Sequence, residues 1–157
     1  MKIELLLTGK TDSAWIKDGA ELYINRLKHY TVLSIREIPE LKKTAGLSIS
    51  QIKEREGELI LKNIKESDYL ILLDENGKLF SSEEFAQKIE KATIRGIKCT
   101  VFVVGGAYGF SEQVYSRADE KISLSKMTFS HQMVRVIFLE QLYRAYTIIK
   151  GEPYHHK

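Results

Sequence analysis

Two short, almost uninterrupted apolar runs most constrain how this 157-residue chain can fold. They cover residues 69–73 and Cys99–Val104, and runs of this kind are typical of strands that are covered on both faces. Segments with apolar residues at helical spacing separate these strands from their neighbours, and the first such segment begins after a cap at Asp12 or Ser13. Strands that alternate with helices predict an α/β fold, with a mostly parallel sheet and helices on both faces.

The other predicted elements continue this alternation. Strands are predicted over Lys2–Thr8, 31–38 and 121–124, with a turn over 74–78 after the third strand. Helices are predicted over 50–65, 81–95 and 130–150, and Ser81 with Glu84 predicts a capping box at the second of them. Ser111 is expected to open a short helix. The last helix is apolar nearly all round, so we expect the sheet to cover one side and the second subunit of a homodimer the other.

Length and composition exclude several classes of protein. The chain is long enough for one ordinary core, so we expect a single domain over 1–157. The single cysteine, Cys99, excludes a disulfide framework within the chain, and the four histidines lack ligand spacing, so no metal site is predicted. The apolar run at the N-terminus is too short for a secretory signal, and no stretch reaches the roughly 18 apolar residues of a membrane span. We therefore expect a cytoplasmic protein without membrane contact.

Candidate ligand-binding residues follow three of the predicted strands. In an open α/β sheet, ligands bind beyond the carboxyl ends of the strands, which here means 73–74, 105–109 and 124–129. The loop 105–109 reads Gly-Gly-x-x-Gly, and its glycines fit either a tight turn or a close approach to a ligand. It lacks the dinucleotide fingerprint Gly-x-Gly-x-x-Gly, which argues against a nicotinamide-dependent oxidoreductase, and no P-loop motif occurs.

Charge is concentrated near the C-terminus. The whole chain carries +3, whereas 121–157 holds six basic residues against two acidic ones, a net charge of +4. Cations interleaved with aromatic residues suit an RNA backbone and stacked bases. The same pattern also fits a solvated helix face over core aromatic residues, so charge alone leaves both interpretations open.

Several motifs, taken in order, resemble one family. They are Leu-Leu-Asp-Glu-Asn-Gly-Lys at 72–78, Val-Gly-Gly-Ala-Tyr-Gly at 104–109, Ser-Leu-Ser-Lys-Met-Thr-Phe-Ser-His-Gln-Met-Val-Arg-Val at 123–136, Glu-Gln-Leu-Tyr-Arg-Ala at 140–145 and Pro-Tyr-His at 153–155. Together they closely resemble the RlmH family, the ribosomal RNA large subunit methyltransferases H of the SPOUT superfamily, over the whole chain. The resemblance implies a homodimer and a SPOUT-type α/β fold with a C-terminal trefoil knot, its knot and cofactor loops at about 70–157. Threaded chains are rare, so periodicity alone does not predict the knot.

The resemblance also implies an activity and a set of cofactor-binding residues. Members of this family methylate N3 of a pseudouridine, position 1915 of 23S rRNA, on the assembled ribosome. The methyl donor is S-adenosyl-L-methionine, and no metal is implied. The positions that match the cofactor contacts of the family are Leu73, Gly105, Leu124, Ser125, Lys126, Met127, Thr128 and Phe129.

The catalytic residues implied by the resemblance lie later in the chain. His131 is expected to contact the target base, Arg135 or Arg144 to hold phosphates, and Tyr154 with His155 to close over the target from the tail. Some members of the family carry arginine after Tyr-His, where this chain has histidine and then lysine at 156–157, so a phosphate contact there is not carried over. A non-catalytic knotted factor that binds RNA or the ribosome is the alternative function.

Overall fold

The computed structural model describes residues 1–156, so Lys157 lies outside the described residues. The five strands are β1 (Lys2–Thr8), β2 (Val32–Ile38), β3 (Tyr69–Leu79), β4 (Cys99–Val104) and β5 (Glu120–Ser123). The five helices are α1 (Ala14–Leu27), α2 (Ile49–Lys62), α3 (Ser82–Ile94), α4 (Glu112–Arg117) and α5 (Met133–Ile149). None of the helices within 1–156 is long and apolar enough to cross a membrane.

The strands form one sheet in the order β2-β1-β4-β3-β5, and every neighbouring pair is parallel. Successive residues of β1 point to opposite faces, as the pleat of a strand requires. Leu5 packs into a core with α1, α3 and α5, whereas Leu6 packs into a second core with α2 and α4. The predicted α/β fold, with helices on both faces of a parallel sheet, is therefore confirmed.

Polar side chains fix the starts of the helices. At α3 the hydroxyl of Ser81 accepts a hydrogen bond from the backbone N–H of Glu84, and the Glu84 carboxylate accepts one from the N–H of Ser81, so the predicted capping box is confirmed. α2 begins at Ile49, one residue earlier than predicted, and its cap is Ser48, where Gln51 provides the reciprocal hydrogen bond. At α5 the hydroxyl of Ser130 accepts from the N–H of Met133, where the helix begins.

The predicted turn over 74–78 is wrong. These residues belong to β3. This strand pairs with β5 over 71–73 and again over 78–79, and the register shifts between Leu73 and Lys78. Gly77 allows this irregular pairing, because a Cβ at this position would lie 2.6 Å from the backbone C and N atoms of Ile122. A glycine within a strand commonly marks such a bulge or close approach of two backbones.

The final helix is buried on more sides than a surface helix, but within a single chain. No residue of Met133–Ile149 is exposed, and α1 and α3 both pack against it beside the sheet. Gly19 of α1 lies close to α5, because a Cβ there would be 3.4 Å from the Val136 side chain. Neighbouring helices therefore supply most of the cover that the sequence assigned to a second subunit.

Candidate active site

A cavity of about 610 Å³ lies beyond the carboxyl ends of β3, β4 and β5. All three segments that the sequence identified as ligand loops contribute to its walls, because parallel strands end at one edge of a sheet. Seven residues expected to contact a cofactor line it: Leu73, Gly105, Leu124, Ser125, Met127, Thr128 and Phe129. The eighth, Lys126, is exposed and does not line the cavity.

The glycine loop after β4 forms one wall with its backbone. A Cβ at Gly105 would lie 2.9 Å from Cε1 of Phe110, and a Cβ at Gly106 would lie 2.6 Å from Oε2 of Glu56. Gly109 has a φ of +81°, a conformation that glycine adopts without strain. The loop is thus a tight turn that packs on Phe110 and Glu56 and forms part of the wall of a concave site. Its close approach to a ligand stays a prediction.

Short-range hydrogen bonds order the loop after β5. The hydroxyl of Ser123 donates to the carbonyl of Ser125 at 2.8 Å, and the hydroxyl of Ser125 accepts from the N–H of Met127 at 2.9 Å. The hydroxyl of Thr128 donates to the Glu75 carboxylate at 3.1 Å, which ties this loop to the middle of β3. The small polar residues of this segment therefore hold the cavity wall in one conformation.

A carboxylate with fixed orientation faces the cavity from β3. Oδ1 of Asp74 accepts from the N–H of Asn76 at 2.7 Å, and Oδ2 accepts from the hydroxyl of Tyr115 at 2.5 Å. Burial, followed by the hydrogen bond to Asp74, raises the pKa of Tyr115 to about 12, so its hydroxyl remains a donor at neutral pH. Tyr115 and Lys53 both line the cavity, and the sequence gave no motif that singled them out.

His131 lies on the cavity wall, as expected for a residue that meets the target. Its imidazole has no hydrogen-bond or ion-pair partner within residues 1–156, so both ring nitrogens are available to a ligand. The backbone carbonyl of His131, by contrast, accepts a hydrogen bond from Nε of Arg135 at 3.1 Å.

Arg135 does not line the cavity, which argues against the expected contact with phosphates. Its side chain is only 1% exposed, and burial lowers the pKa of its guanidinium. Besides the carbonyl of His131, it donates to the carbonyls of Thr8 and Gly9 at 3.0 and 3.1 Å and to the hydroxyl of Thr11 at 2.8 Å. Arg135 therefore joins the backbone that carries His131 to the turn after β1.

The two predicted tail residues do not line the cavity and pack against α5 instead. Tyr154 contacts Glu140, the eighth of the 17 residues of this helix, so the tail folds back along α5. The ring of Tyr154 packs on Tyr143 with 4.7 Å between ring centroids, and the guanidinium of Arg144 lies 4.8 Å from the centroid of Tyr154. Within one chain the structure thus brings His131 to the cavity and leaves Tyr154 and His155 away from it.

Charged residues of α3 and α5 bind the tail. The hydroxyl of Tyr154 donates to Glu140 at 3.1 Å, and Glu140 also pairs with Arg144. Arg144 donates to Nδ1 of His155 at 3.3 Å, which fixes the tautomer with the proton on Nε2, 3.2 Å from Glu83. Glu140 and Arg144 are four residues apart and therefore lie on one face of the helix. This spacing is the sequence signal that could have indicated their contacts with the tail.

A second concave region lies beside the tail. Its volume is about 660 Å³, and its lining consists of aromatic, charged and tail residues, namely Tyr143, Arg144, Glu152, Pro153, Tyr154 and His156. Aromatic faces beside a guanidinium are surfaces on which bases stack.

Comparison with known proteins agrees with the fold. The family model described as "Predicted SPOUT methyltransferase" matches residues 1–155, so the chain is a methyltransferase of the SPOUT class. The chain is 57% identical to the ribosomal RNA large subunit methyltransferase H of Christiangramia forsetii, 55% identical to that of Parabacteroides distasonis and 52% to that of Flavobacterium johnsoniae. Each match covers 100% of both chains.

The chain belongs to the family of ribosomal RNA large subunit methyltransferases H, within the SPOUT class. The resemblance stated from the sequence motifs is therefore confirmed. These relatives match end to end, so the cavity, the glycine loop and the tail all lie within the shared region.

Proposed function

We propose that this chain is an S-adenosyl-L-methionine-dependent methyltransferase that methylates N3 of pseudouridine 1915 in 23S rRNA on the assembled ribosome. The observation that carries the proposal is the cavity at the carboxyl ends of β3, β4 and β5, lined by seven residues that match the cofactor contacts of the family. We propose further that the chain forms one SPOUT domain over 1–157, with a trefoil knot within about 70–157, and that it acts in the cytoplasm.

The residues of the cavity fit this methyl donor. A volume of about 610 Å³ is within the range of sites for small molecules. Leu73, Leu124 and Phe129 provide apolar surface for an adenine ring, and the glycine loop provides backbone at close range. The fixed carboxylate of Asp74 favours a cationic ligand such as a sulfonium. When bound, S-adenosyl-L-methionine supplies a methyl group already activated by its positive sulfur.

The residues of the chain then have two tasks, positioning and proton transfer. Forming the N3–methyl bond requires the proton on N3 of the base to leave, and a nearby base or cation favours that loss. We assign this contact to His131, because its imidazole faces the cavity and has no other partner within 1–156. Arg135 acts through the backbone of His131 and is a positioning residue.

A homodimer would complete the site. We propose that the tail of one subunit serves the cavity of the other, because neither Tyr154 nor His155 lines the cavity of its own chain. An apolar patch beside α5 offers the contact surface: Trp15 and Leu22 are 62% and 48% exposed and flank Gly19, where α1 meets Val136. Exposed apolar patches of this kind mark subunit contacts.

Methyl transfer to ribosomes tests the proposed function. Labelled donor is incubated with 70S ribosomes, 50S subunits and free 23S rRNA, and the modified nucleotide is identified by mass spectrometry. The proposal expects N3-methylpseudouridine in 70S ribosomes and little transfer to free rRNA, because one small domain offers limited surface for reading sequence. The alternative, a non-catalytic knotted factor, predicts no transfer and, in isothermal titration, no need to bind the donor.

Mixed dimers test whether the tail of one subunit serves the cavity of the other. The His131→Ala chain and a chain carrying Tyr154→Ala with His155→Ala are each expected to be inactive alone. Unfolded together and refolded, they should regain about one quarter of wild-type activity, since about half the dimers are mixed and each has one complete site. No recovery would show that cavity and tail must share one chain.

A further inference from the structure

Four lysines follow the carboxyl ends of strands and are called here the edge lysines. Lys10 follows β1, Lys42 and Lys43 follow β2, and Lys126 follows β5. All four are exposed. Within residues 1–156 none of their ammonium groups forms an ion pair or a hydrogen bond, whereas Lys2 and Lys88 pair with carboxylates.

Carboxylates also lie at this edge of the sheet, but within residues 1–156 none of them forms an ion pair with an edge lysine. Glu37 accepts hydrogen bonds from the N–H and the hydroxyl of Thr11 at 3.1 and 3.2 Å. Glu75 accepts from Thr128, and the side chain of Glu40 packs over Gly9. The carboxylates keep their negative charge, but within residues 1–156 they do not hold the ammonium groups of the edge lysines, which can therefore contact a partner of opposite sign.

The edge lysines lie on both sides of the cavity. In the strand order β2-β1-β4-β3-β5, Lys42 and Lys43 stand at one border and Lys126 at the other, with the cavity at β4, β3 and β5. Neighbouring strands are about 4.8 Å apart, so the row spans about 19 Å. A strand of RNA lying along this edge would place one base at the cavity and the phosphates of neighbouring nucleotides beside lysines.

We propose that the edge lysines bind the phosphate backbone of the RNA on both sides of the target nucleotide. This inference rests on the proposed function and assigns part of its substrate-binding surface. It extends the RNA-facing surface beyond 121–157, where the sequence concentrates positive charge, because three of the edge lysines belong to the first 43 residues. The fold places these three lysines at the same edge of the sheet as the cavity. The net charge of that part of the chain does not reveal them.

The test compares two variants with equal loss of charge. The edge variant carries Lys10→Ala, Lys42→Ala and Lys43→Ala, and none of these residues lines the cavity. The control variant carries Lys62→Ala, Lys65→Ala and Lys98→Ala, which are exposed at the opposite edge of the sheet.

For both variants and the wild type, three quantities are measured: the Kd for 70S ribosomes by co-sedimentation, the KM for ribosomes, and the Kd for S-adenosyl-L-methionine by titration. Binding to ribosomes is followed from about 50 to 200 mM salt. Each lost phosphate contact lowers the slope of log K against log salt by roughly 0.7 to 0.9. We therefore expect the edge variant to lose about 2 to 3 from this slope and to bind ribosomes about tenfold more weakly at the lowest salt.

The donor Kd of the edge variant should stay within about twofold of wild type, and a variant with arginine at the three positions should bind ribosomes like wild type. Equal losses in the edge and control variants would overturn the proposal. So would weaker binding with an unchanged salt slope, which would indicate a contact with ribosomal protein. Wild type that transfers no methyl group would refute the proposed function instead, and co-sedimentation would still decide the role of the edge lysines.

Discussion

Replacing Arg135 with methionine should destabilise the protein strongly, although the new side chain fills a similar volume. The change removes four hydrogen bonds, three of them to backbone carbonyls, from a side chain that is 1% exposed. Each buried acceptor left without a donor costs about 1–3 kcal/mol, and such costs do not add fully. Relief of the desolvation of a buried charge offsets part of the loss by several kcal/mol. We expect a net loss of about 3 kcal/mol.

Thermal unfolding followed by circular dichroism measures this effect. For a chain of this size, about 3 kcal/mol corresponds to a fall in Tm of about 6–12 °C. Arg55→Met is the matched control, because Arg55 is exposed on α2 and its loss should change stability by no more than about 0.5 kcal/mol. If both variants melt at the same temperature, Arg135 does not hold the backbone together. If, in addition, Arg135→Met binds ribosomes more weakly, the original expectation of a phosphate contact is correct.

Three further predictions concern the cavity and its surroundings. Gly77→Ala should lower both Tm and donor affinity, measured by titration, because its Cβ would overlap the backbone of β5; unchanged affinity would contradict the packing. Burial, followed by a neighbouring carboxylate, raises the pKa of Glu56, so the wild type loses stability as pH rises through that pKa. Glu56→Gln should therefore raise Tm at about pH 8 and much less near pH 4, whereas the control Glu58→Gln should not. His131→Ala should lower turnover roughly 10²-fold or more with little change in donor Kd, whereas His29→Ala should change neither; normal turnover would remove His131 from the mechanism.

Features fixed by neighbouring residues were predictable from the sequence. The apolar run Cys99–Val104 is a fully paired central strand, and Ser81 with Glu84 forms the predicted capping box. The convergence of three loops followed from topology alone, because strands that alternate with helices run parallel and end at one edge. Local side-chain chemistry and chain direction therefore sufficed for most of the fold and for the position of the cavity.

Features that depend on distant partners were not predictable in this way. Asn76-Gly77 has the composition of a turn, yet it lies inside β3, because the strand pairs with β5, more than 40 residues away, on both sides of this segment. Arginine is a residue type expected at an RNA contact, but the acceptors of Arg135 at Thr8 and Gly9 lie 127 and 126 residues earlier in the chain. The position of the tail depends on its contacts with Glu83 and Arg144, which no motif at 153–155 encodes.

The identity of the methylated nucleotide tests the central claim most directly. Wild-type protein and labelled donor are incubated with two preparations of 70S ribosomes, one with pseudouridine at position 1915 of 23S rRNA and one with uridine there. Digestion and mass spectrometry then locate the label. The proposed function predicts about one N3-methylpseudouridine per ribosome in the first preparation and at least about tenfold less methylation in the second. Label on another nucleotide, on ribose, or equally in both preparations would contradict it.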